Sequence, residues 1–139
     1  TLVEQGLATI VAENYPGVLI VGHPWRQDGV LYNAASVIVQ GQLTGRYFKQ
    51  SLPNYGVFDE QRYFTAGTET FCFEFKQQKF SVLICEDVWS LNTVKQLSQL
   101  NVETALVLNA SPYEVGKPQH RIQTLNELAK QLKPLIGKK

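Results

Sequence analysis

The chain has little of several residue types, and each shortage excludes a class of protein. It holds two cysteines and no methionine in 139 residues, so neither a disulfide framework nor a cysteine-based zinc site is expected. Its formal net charge is only +1, which gives no electrostatic basis for binding nucleic acid or an anionic membrane surface. No apolar run approaches the ~20 residues that a membrane-spanning helix needs. We therefore expect reduced thiols, a cytoplasmic location and no metal site.

The residues that are present have a globular composition. Hydrophobic residues make up 44% and charged residues 18% of the chain, which is typical of a folded domain and not of a disordered segment. The length suffices for one domain with a core, and we assign residues 1–139 to it. The chain begins at Thr1 inside a helical pattern, so we expect a piece of a longer protein.

Apolar periodicity predicts that helices and strands alternate in the second half of the chain, after consecutive hairpins in the first half. A long loop over 51–67, with one helical turn, separates the halves, and long ordered loops are often functional. Together these patterns predict a layered α/β domain. The predicted helices cover 2–13, about 90–100 and a segment from 118, and the predicted strands cover 18–21, 31–40, 43–48, 70–75, 80–85, 104–109 and a start at 134–136.

Cys85 ends the apolar run VLIC and is followed by Glu86, Asp87 and Trp89. A cysteine at the carboxyl end of a strand that leads into a helix lies where α/β sheets collect active-site groups. The two acids oppose the formation of a thiolate, because their negative charge lies beside it. Either Cys85 is an ordinary buried cysteine, or a cation from elsewhere offsets the acids. Cys72 is interpreted as core or hairpin filling.

Lys49 and Glu60 are the other residues with candidate chemistry. Lys49 follows a predicted strand, where a lysine is usually a solvated surface charge, but it is also the candidate cation near Cys85. Glu60 and Asp59 lie beside Arg62 in the long loop. They form either a local ion pair that pins the loop or, in the case of Glu60, a carboxylate that orients Lys49.

The two histidines are interpreted as structural. His23 lies in the sequence GHPW, which we read as a turn, and His120 lies at a helix start. Neither has a cysteine or acid at the spacing of a catalytic triad, although a Cys–His dyad stays open on spacing alone.

Three blocks carry a resemblance to the nitrilase-type carbon–nitrogen hydrolases, which use a Glu-Lys-Cys triad. More narrowly, the sequence is similar to the glutamine amidohydrolase domains of glutamine-dependent NAD synthetases, above all in LPNYGVFDE and in CED followed by Trp. The resemblance implies an αββα nitrilase-like sandwich, incomplete at both ends. The blocks are LYNAASVIVQGQLTGRYFKQSLPNYGVFDEQRYF (31–64), VLICEDVW (82–89) and LNASPYEVGK (108–117).

The resemblance also implies roles for individual residues. Cys85 matches the nucleophile, Lys49 the triad lysine and Glu60 an accessory carboxylate near that lysine. Asp87 is interpreted as structural. Five further residues match positions that contact or line the glutamine pocket, with Glu86 placed to face the α-amino group of the substrate. They are Tyr55, Glu86, Trp89, Ser111 and Lys117.

One family feature has no match in the chain. The general base of the family is a glutamate upstream of the lysine, and Glu4 and Glu13 lie in no matching motif. We therefore expect the isolated chain to be inactive or nearly so. The synthetase domain, which by resemblance uses ATP and Mg²⁺, is also absent from these residues, and no glycine-rich nucleotide loop occurs in them.

The resemblance implies L-glutamine as the substrate, the synthetase domain as a partner, homo-oligomeric assembly, and no cofactor held by this chain. Two alternatives stay open. One is another nitrilase-like amidase that acts on a small linear amide, and the other is a non-catalytic scaffold or interaction fragment.

Overall fold

The computed structural model describes residues 1–54 and 59–109, together with the single positions 119, 123 and 126. Its described elements follow one another as a helix, a three-stranded sheet, a helical turn, and a second three-stranded sheet that contains a helical crossover. These elements are α1 (Leu2–Ala12), β1 (Val18–Gln27), β2 (Val30–Val39), β3 (Gln42–Phe48), α2 (Glu60–Tyr63), β4 (Cys72–Phe75), β5 (Gln78–Ile84), a 3-10 helix (Cys85–Trp89), α3 (Leu91–Gln99) and β6 (Thr104–Leu108).

The first sheet is a meander in the order β1-β2-β3, with antiparallel neighbours. Its two tight turns are Asp28-Gly29 and Gln40-Gly41, in which all four residues have positive φ. That backbone is the one that matches the twist of two-residue hairpins and that Asp-Gly favours. The register places Ala34 opposite Phe48, so residues shortly before Ala34 lie beside the residues that follow β3.

The extent of β1 corrects the sequence prediction. The strand was predicted to end at residue 21 before a GHPW turn, but it continues to Gln27, and the turn falls at Asp28. Pro24 is tolerated in the strand because, within the described residues, β1 pairs only with β2 and forms an edge of its sheet. His23 therefore lies within a strand, opposite Ala34.

The second sheet has the order β4-β5-β6. The hairpin of β4 and β5 is antiparallel and turns at Lys76-Gln77, whereas β6 runs parallel to β5 after the crossover through α3. Ser90 begins α3 as predicted, because its Oγ accepts a hydrogen bond from the Thr93 N–H at 3.5 Å. The parallel pair brings the carboxyl ends of β5 and β6 to the same edge.

The two sheets pack face to face, which confirms the layered α/β prediction. Ala35, Val37 and Tyr47 of the first sheet share one core cluster with Val82 and other residues of the second. Ala35 and Val37 alternate along β2, whereas Val82, Leu83 and Ile84 are consecutive buried residues of β5. The rest of the buried cluster comprises Phe73, Leu83, Ile84, Val88, Leu97 and Val102.

Helices lie against the sheets through a few apolar residues. Leu7 of α1 and Leu97 of α3 are buried, as their helical spacing predicts. The helical spacing of Leu91, Val94, Leu97 and Leu100 also predicts an inward Leu91, but Leu91, the first residue of α3, is 68% exposed. The strand predicted at 134–136 lies outside the described residues.

The helix predicted from residue 118 also lies mostly outside the described residues. Three polar positions of that segment are described, and Gln119, Gln123 and Asn126 are helical and exposed. Their spacing of four and three residues is that of one helix face, which agrees with a helix in this segment.

Candidate active site

A pocket of about 500 Å³ opens at one end of the two sheets. The first sheet contributes residues from its inner face, and the second sheet contributes the carboxyl ends of its two parallel strands. Gly22 faces Leu108 across the pocket wall, and a Cβ there would lie at van der Waals distance, 3.4 Å, from the Leu108 side chain. The described lining residues are Gly22, Asn33, Lys49, Glu60, Ile84, Cys85, Leu108 and Asn109.

Cys85 lies directly after β5 and opens the 3-10 helix, so its predicted place at a strand end is confirmed. Its φ is +51°, a left-handed conformation that is uncommon for a residue with a side chain. Such strain persists only where the surrounding structure imposes it, and it concentrates at functional sites. Cys85 is one of the residues that line the pocket.

Lys49 is buried, with 1% of its side chain exposed, so the interpretation as a solvated surface charge is wrong. Two backbone bonds hold its position. The Lys49 N–H donates to the Asn33 carbonyl at 2.8 Å, and the Gly67 N–H donates to the Lys49 carbonyl at 2.8 Å. Lys49 therefore continues the inner face of the first sheet into the pocket, although β3 ends one residue earlier.

Glu60 holds the buried charge of Lys49. Its Oε1 forms an ion pair with Lys49 Nζ, and its Oε2 accepts a hydrogen bond from Asn33 Nδ2 at 3.1 Å. The local ion pair predicted for this loop exists as well, but it joins Asp59 to Arg62 at 3.6 Å on the exposed side. Asp59 thus forms a surface ion pair, whereas Glu60, the first residue of α2, pairs with the buried lysine.

Asn33 is a site residue that sequence reasoning missed. It donates to Glu60, accepts from the backbone of Lys49 and lines the pocket. Its polar amide in a mostly apolar strand was the available signal. Only the register of β2 on β3 shows that it lies beside Lys49.

Asp87 is fully buried among hydrogen-bond donors. Burial raises the pKa of the Asp87 carboxyl above its usual range, while the hydrogen bonds that it accepts act in the opposite direction. Burial, followed by the charge of Asp87, raises the pKa of the Tyr47 phenol. Tyr47 therefore keeps its proton and donates it to Asp87 Oδ2 at 2.6 Å.

The remaining predicted pocket residues have different outcomes. Glu86 and Trp89 follow Cys85 in the 3-10 helix, and neither is among the described residues that line the pocket. Glu86 is half-buried, and Trp89 is 43% exposed. Tyr55, Ser111 and Lys117 lie outside the described residues. The substrate-contact roles of all five stay predictions.

His23 has a structural environment, as expected. Its Nδ1 lies 2.8 Å from the Pro24 carbonyl, which only accepts, so this nitrogen donates. Its Nε2 lies 2.6 Å from Ser36 Oγ and accepts the hydroxyl proton when the ring is neutral. Burial raises the pKa of the Cys72 thiol, and Cys72 packs against the core cluster as predicted. His120 lies outside the described residues.

A buried lysine–carboxylate pair and a strained cysteine on one pocket wall agree with the family comparison. A family profile described as carbon-nitrogen hydrolase matches residues 2–130. The chain belongs to this family.

Within the family, the matching relatives point to one kind of enzyme. The chain is 65% identical over 106 residues to the glutamine-dependent NAD(+) synthetase of Acinetobacter baylyi, a match that covers 76% of this chain and 20% of the relative. A solved structure of glutamine-dependent NAD⁺ synthetase from Acinetobacter baumannii, in complex with ADP, superposes with a TM-score of 0.88 at 56% identity. That match covers 94% of this chain and 25% of the synthetase, so the chain spans about a quarter of its length.

A more distant structure shows the fold alone. The amidase of Nesterenkonia AN1, from the nitrilase superfamily, matches with a TM-score of 0.76 at 18% identity, over 91% of this chain and 48% of the amidase. In the part of the chain that the structure describes, no helix is long and apolar enough to cross a membrane.

Proposed function

We propose that this chain is the glutamine-hydrolysing part of a glutamine-dependent NAD synthetase, and that it releases ammonia for the amidation of deamido-NAD. The observation that carries the proposal is the shared pocket of Cys85 and the buried Lys49–Glu60 pair. The 65% identity to a synthetase with that name supports it. A pocket of about 500 Å³ also has room for a small amide such as glutamine.

The first half of the proposed reaction forms a thioester. The Cys85 thiolate attacks the side-chain amide carbon of glutamine, and the carbonyl oxygen takes the negative charge. The Lys49 ammonium and a backbone N–H donate to that oxyanion, and each such donor contributes about 3–4 kcal/mol. The C–N bond then breaks, and the nitrogen leaves as ammonia after it receives a proton.

The second half consumes water. A water molecule attacks the thioester carbon, the C–S bond breaks, and glutamate leaves while Cys85 is restored. Both halves need a group that takes a proton and returns it. Both Glu60 oxygens are engaged by Lys49 and Asn33, so Glu60 is a positioning group for the lysine and not the base.

The isolated chain is proposed to be inactive or nearly so, because no residue of the chain matches the general-base glutamate of the family. Among the described residues that line the pocket, Glu60 is the one carboxylate, and no histidine joins it. The cysteine, the lysine and much of the pocket are present, so the thiol can react with an alkylating agent even when glutamine is not turned over.

Further contacts to glutamine are proposed from residues that match the family pocket. Glu86 is assigned to the α-amino group, since an ammonium ion is a suitable partner for a carboxylate. Tyr55, Trp89, Ser111 and Lys117 are assigned to the remaining surface of the substrate.

The nucleotide chemistry is assigned outside this chain. ATP and Mg²⁺ would serve the synthetase part of a homo-oligomeric cytoplasmic enzyme. Within residues 1–54 and 59–109, no group of three or more His, Cys, Asp and Glu side chains is arranged to hold a metal ion.

The test is glutamine-dependent ammonia release, measured for the full-length protein and for the 139-residue chain. The full-length protein is expected to turn over glutamine and to lose this activity in Cys85→Ala, while the isolated chain shows little or none. Robust turnover by the isolated chain that Cys85→Ala abolishes would overturn the proposed inactivity. Hydrolysis of simple amides in preference to glutamine would favour another amidase, and an inert Cys85 would favour a scaffold.

A further inference from the structure

One buried carboxylate gathers donors from two separate segments of the chain. Asp87 Oδ1 accepts hydrogen bonds from the Gln50 N–H at 3.1 Å and the Ser51 N–H at 2.8 Å. Its Oδ2 accepts from the Tyr47 hydroxyl at 2.6 Å and the Ile84 N–H at 3.0 Å. Each of the four partners is a donor, so the ionised carboxylate is the form that satisfies all of them.

These bonds end beside the two reactive groups of the pocket. Ile84 directly precedes Cys85, and Gln50 directly follows Lys49. Lys49 leaves the first sheet and Cys85 leaves the second. Asp87 therefore joins the backbone of the lysine segment to the backbone of the cysteine segment, through three main-chain N–H groups and one phenol.

The bond to the Ile84 N–H also explains how Cys85 keeps its backbone conformation. Asp87 is three residues after Ile84, and its side chain reaches back to that N–H. A side-chain acceptor that closes a turn in this way stabilises a local backbone path that competes with regular structure. The path here includes the +51° φ of Cys85, which needs support from its surroundings.

We propose that Asp87 is a positioning residue that fixes the geometry between the Cys85 thiol and the Lys49 ammonium. The inference rests on the proposed glutaminase function, and it gives one of the two acids beside the cysteine a definite task. Asp87 acts through the backbone of its neighbours and does not contact the substrate. Reacting groups that are displaced by about 1 Å lose on the order of 100-fold in rate, so such a tie affects turnover more than binding.

The decisive variant is Asp87→Asn in the full-length protein. The asparagine amide has one oxygen and one NH₂ group. Its oxygen can still accept from the two donors on one side, but its NH₂ group faces the two donors on the other side and cannot accept from them. Tyr47→Phe is the graded variant, because it removes one of the four donors and keeps the buried ring. Leu97→Ala is the matched control, since Leu97 is 3% exposed in the core and belongs to neither segment.

Three quantities are measured for each variant: kcat and KM for glutamine, the rate of Cys85 alkylation by iodoacetamide near neutral pH, and Tm. For Asp87→Asn we expect kcat to fall about 100-fold while KM changes less than about threefold, and alkylation to slow about tenfold. For Tyr47→Phe we expect a smaller fall in kcat of about threefold to tenfold. Leu97→Ala is expected to lower Tm with kcat and alkylation close to those of the unchanged protein.

The proposal is overturned if Asp87→Asn lowers Tm while kcat and the alkylation rate match those of Leu97→Ala. If Asp87→Asn does not fold, Tyr47→Phe decides: an unchanged kcat and alkylation rate would then overturn it. If the unchanged protein does not hydrolyse glutamine, the proposed function fails by itself. The alkylation rates still test whether Asp87 positions the cysteine.

Discussion

The ion pair of Lys49 and Glu60 leads to a prediction in which two substitutions together cost less than one alone. Lys49 is 1% exposed and Glu60 15% exposed. In Glu60→Gln, the ammonium stays buried and loses its counter-charge, and removing one partner of a buried pair costs about 3–5 kcal/mol. Because the Glu60 side chain is 15% exposed, water reaches the substituted side chain, and the cost falls at the lower end of that range. We therefore expect a loss of about 3 kcal/mol in the free energy of unfolding.

The double variant Lys49→Met, Glu60→Gln removes both charges. The Met side chain fills most of the volume of the lysine stem, and no buried charge is left without a partner. Replacing a buried pair in this way is often close to neutral, and we expect a loss of about 1 kcal/mol for the hydrogen bond that is no longer made. The pair should therefore show a coupling energy of 2 kcal/mol or more, on the order of the values found for contacting residues.

Urea denaturation followed by far-UV circular dichroism measures these free energies on the 139-residue chain. Asp59→Asn is the matched control, since Asp59 precedes Glu60 and pairs with Arg62 at 3.6 Å, with side-chain exposures of 49% and 70%. This exposed pair is expected to be worth less than about 0.5 kcal/mol. The reasoning is refuted if the losses of the single variants Lys49→Met and Glu60→Gln add up to the loss of the double variant. It is also refuted if Glu60→Gln costs no more than Asp59→Asn.

Two further predictions concern Cys72 and Gly67. Since burial raises the pKa of the Cys72 thiol, Cys72 keeps its proton to higher pH than an ordinary cysteine. Iodoacetamide near pH 7 should therefore label Cys85 before Cys72, and Cys72 should be labelled only as the pH rises. Peptide mass spectrometry measures both rates, and equal rates at pH 7 would contradict this prediction. A Cβ at Gly67 would lie 2.8 Å from Phe48 Cβ, so Gly67→Ala should displace the segment that bonds the Lys49 carbonyl and cost about 1–3 kcal/mol in urea denaturation. A loss below that of Asp59→Asn would contradict the packing argument.

Strand β5, which ends just before Cys85, and the helix that follows could be predicted because local sequence carries them. The apolar run before Cys85 and the helical spacing after Ser90 determine β5 and α3 with no reference to the rest of the chain. The extent of β1 was missed for a physical reason. Pro24 removes one N–H and suggests a break, but on an edge strand that N–H has no partner to lose.

The contacts of the site could not be predicted because they depend on register and packing. Asn33 meets Lys49 only through the pairing of β2 with β3, and Tyr47 meets Asp87 across 40 residues of sequence. Neither pair has a spacing signal. Their positions in the sequence made Lys49 and Glu60 candidates, and the resemblance supported both. The structure adds the reason for the carboxylate, which is that the lysine is buried.

In the sequence, the acids beside Cys85 oppose the formation of a thiolate, and Lys49 was the cation expected to offset them. The structure shows that the charges of Asp87 and Lys49 each have their own partners. The Asp87 carboxylate accepts hydrogen bonds from four donors. These bonds stabilise its negative charge and weaken the effect of that charge on Cys85. The charge of Lys49 is likewise matched by Glu60, so the lysine is not an uncompensated cation. An ammonium has three N–H donors, of which Glu60 takes one. Under the proposed function, the contribution of Lys49 is therefore that of oriented donors aimed at an oxyanion. This kind of stabilisation depends on geometry more than on net charge. Asp87 therefore matters for the rate, because it ties the lysine segment to the cysteine segment and fixes the distance between their reactive groups.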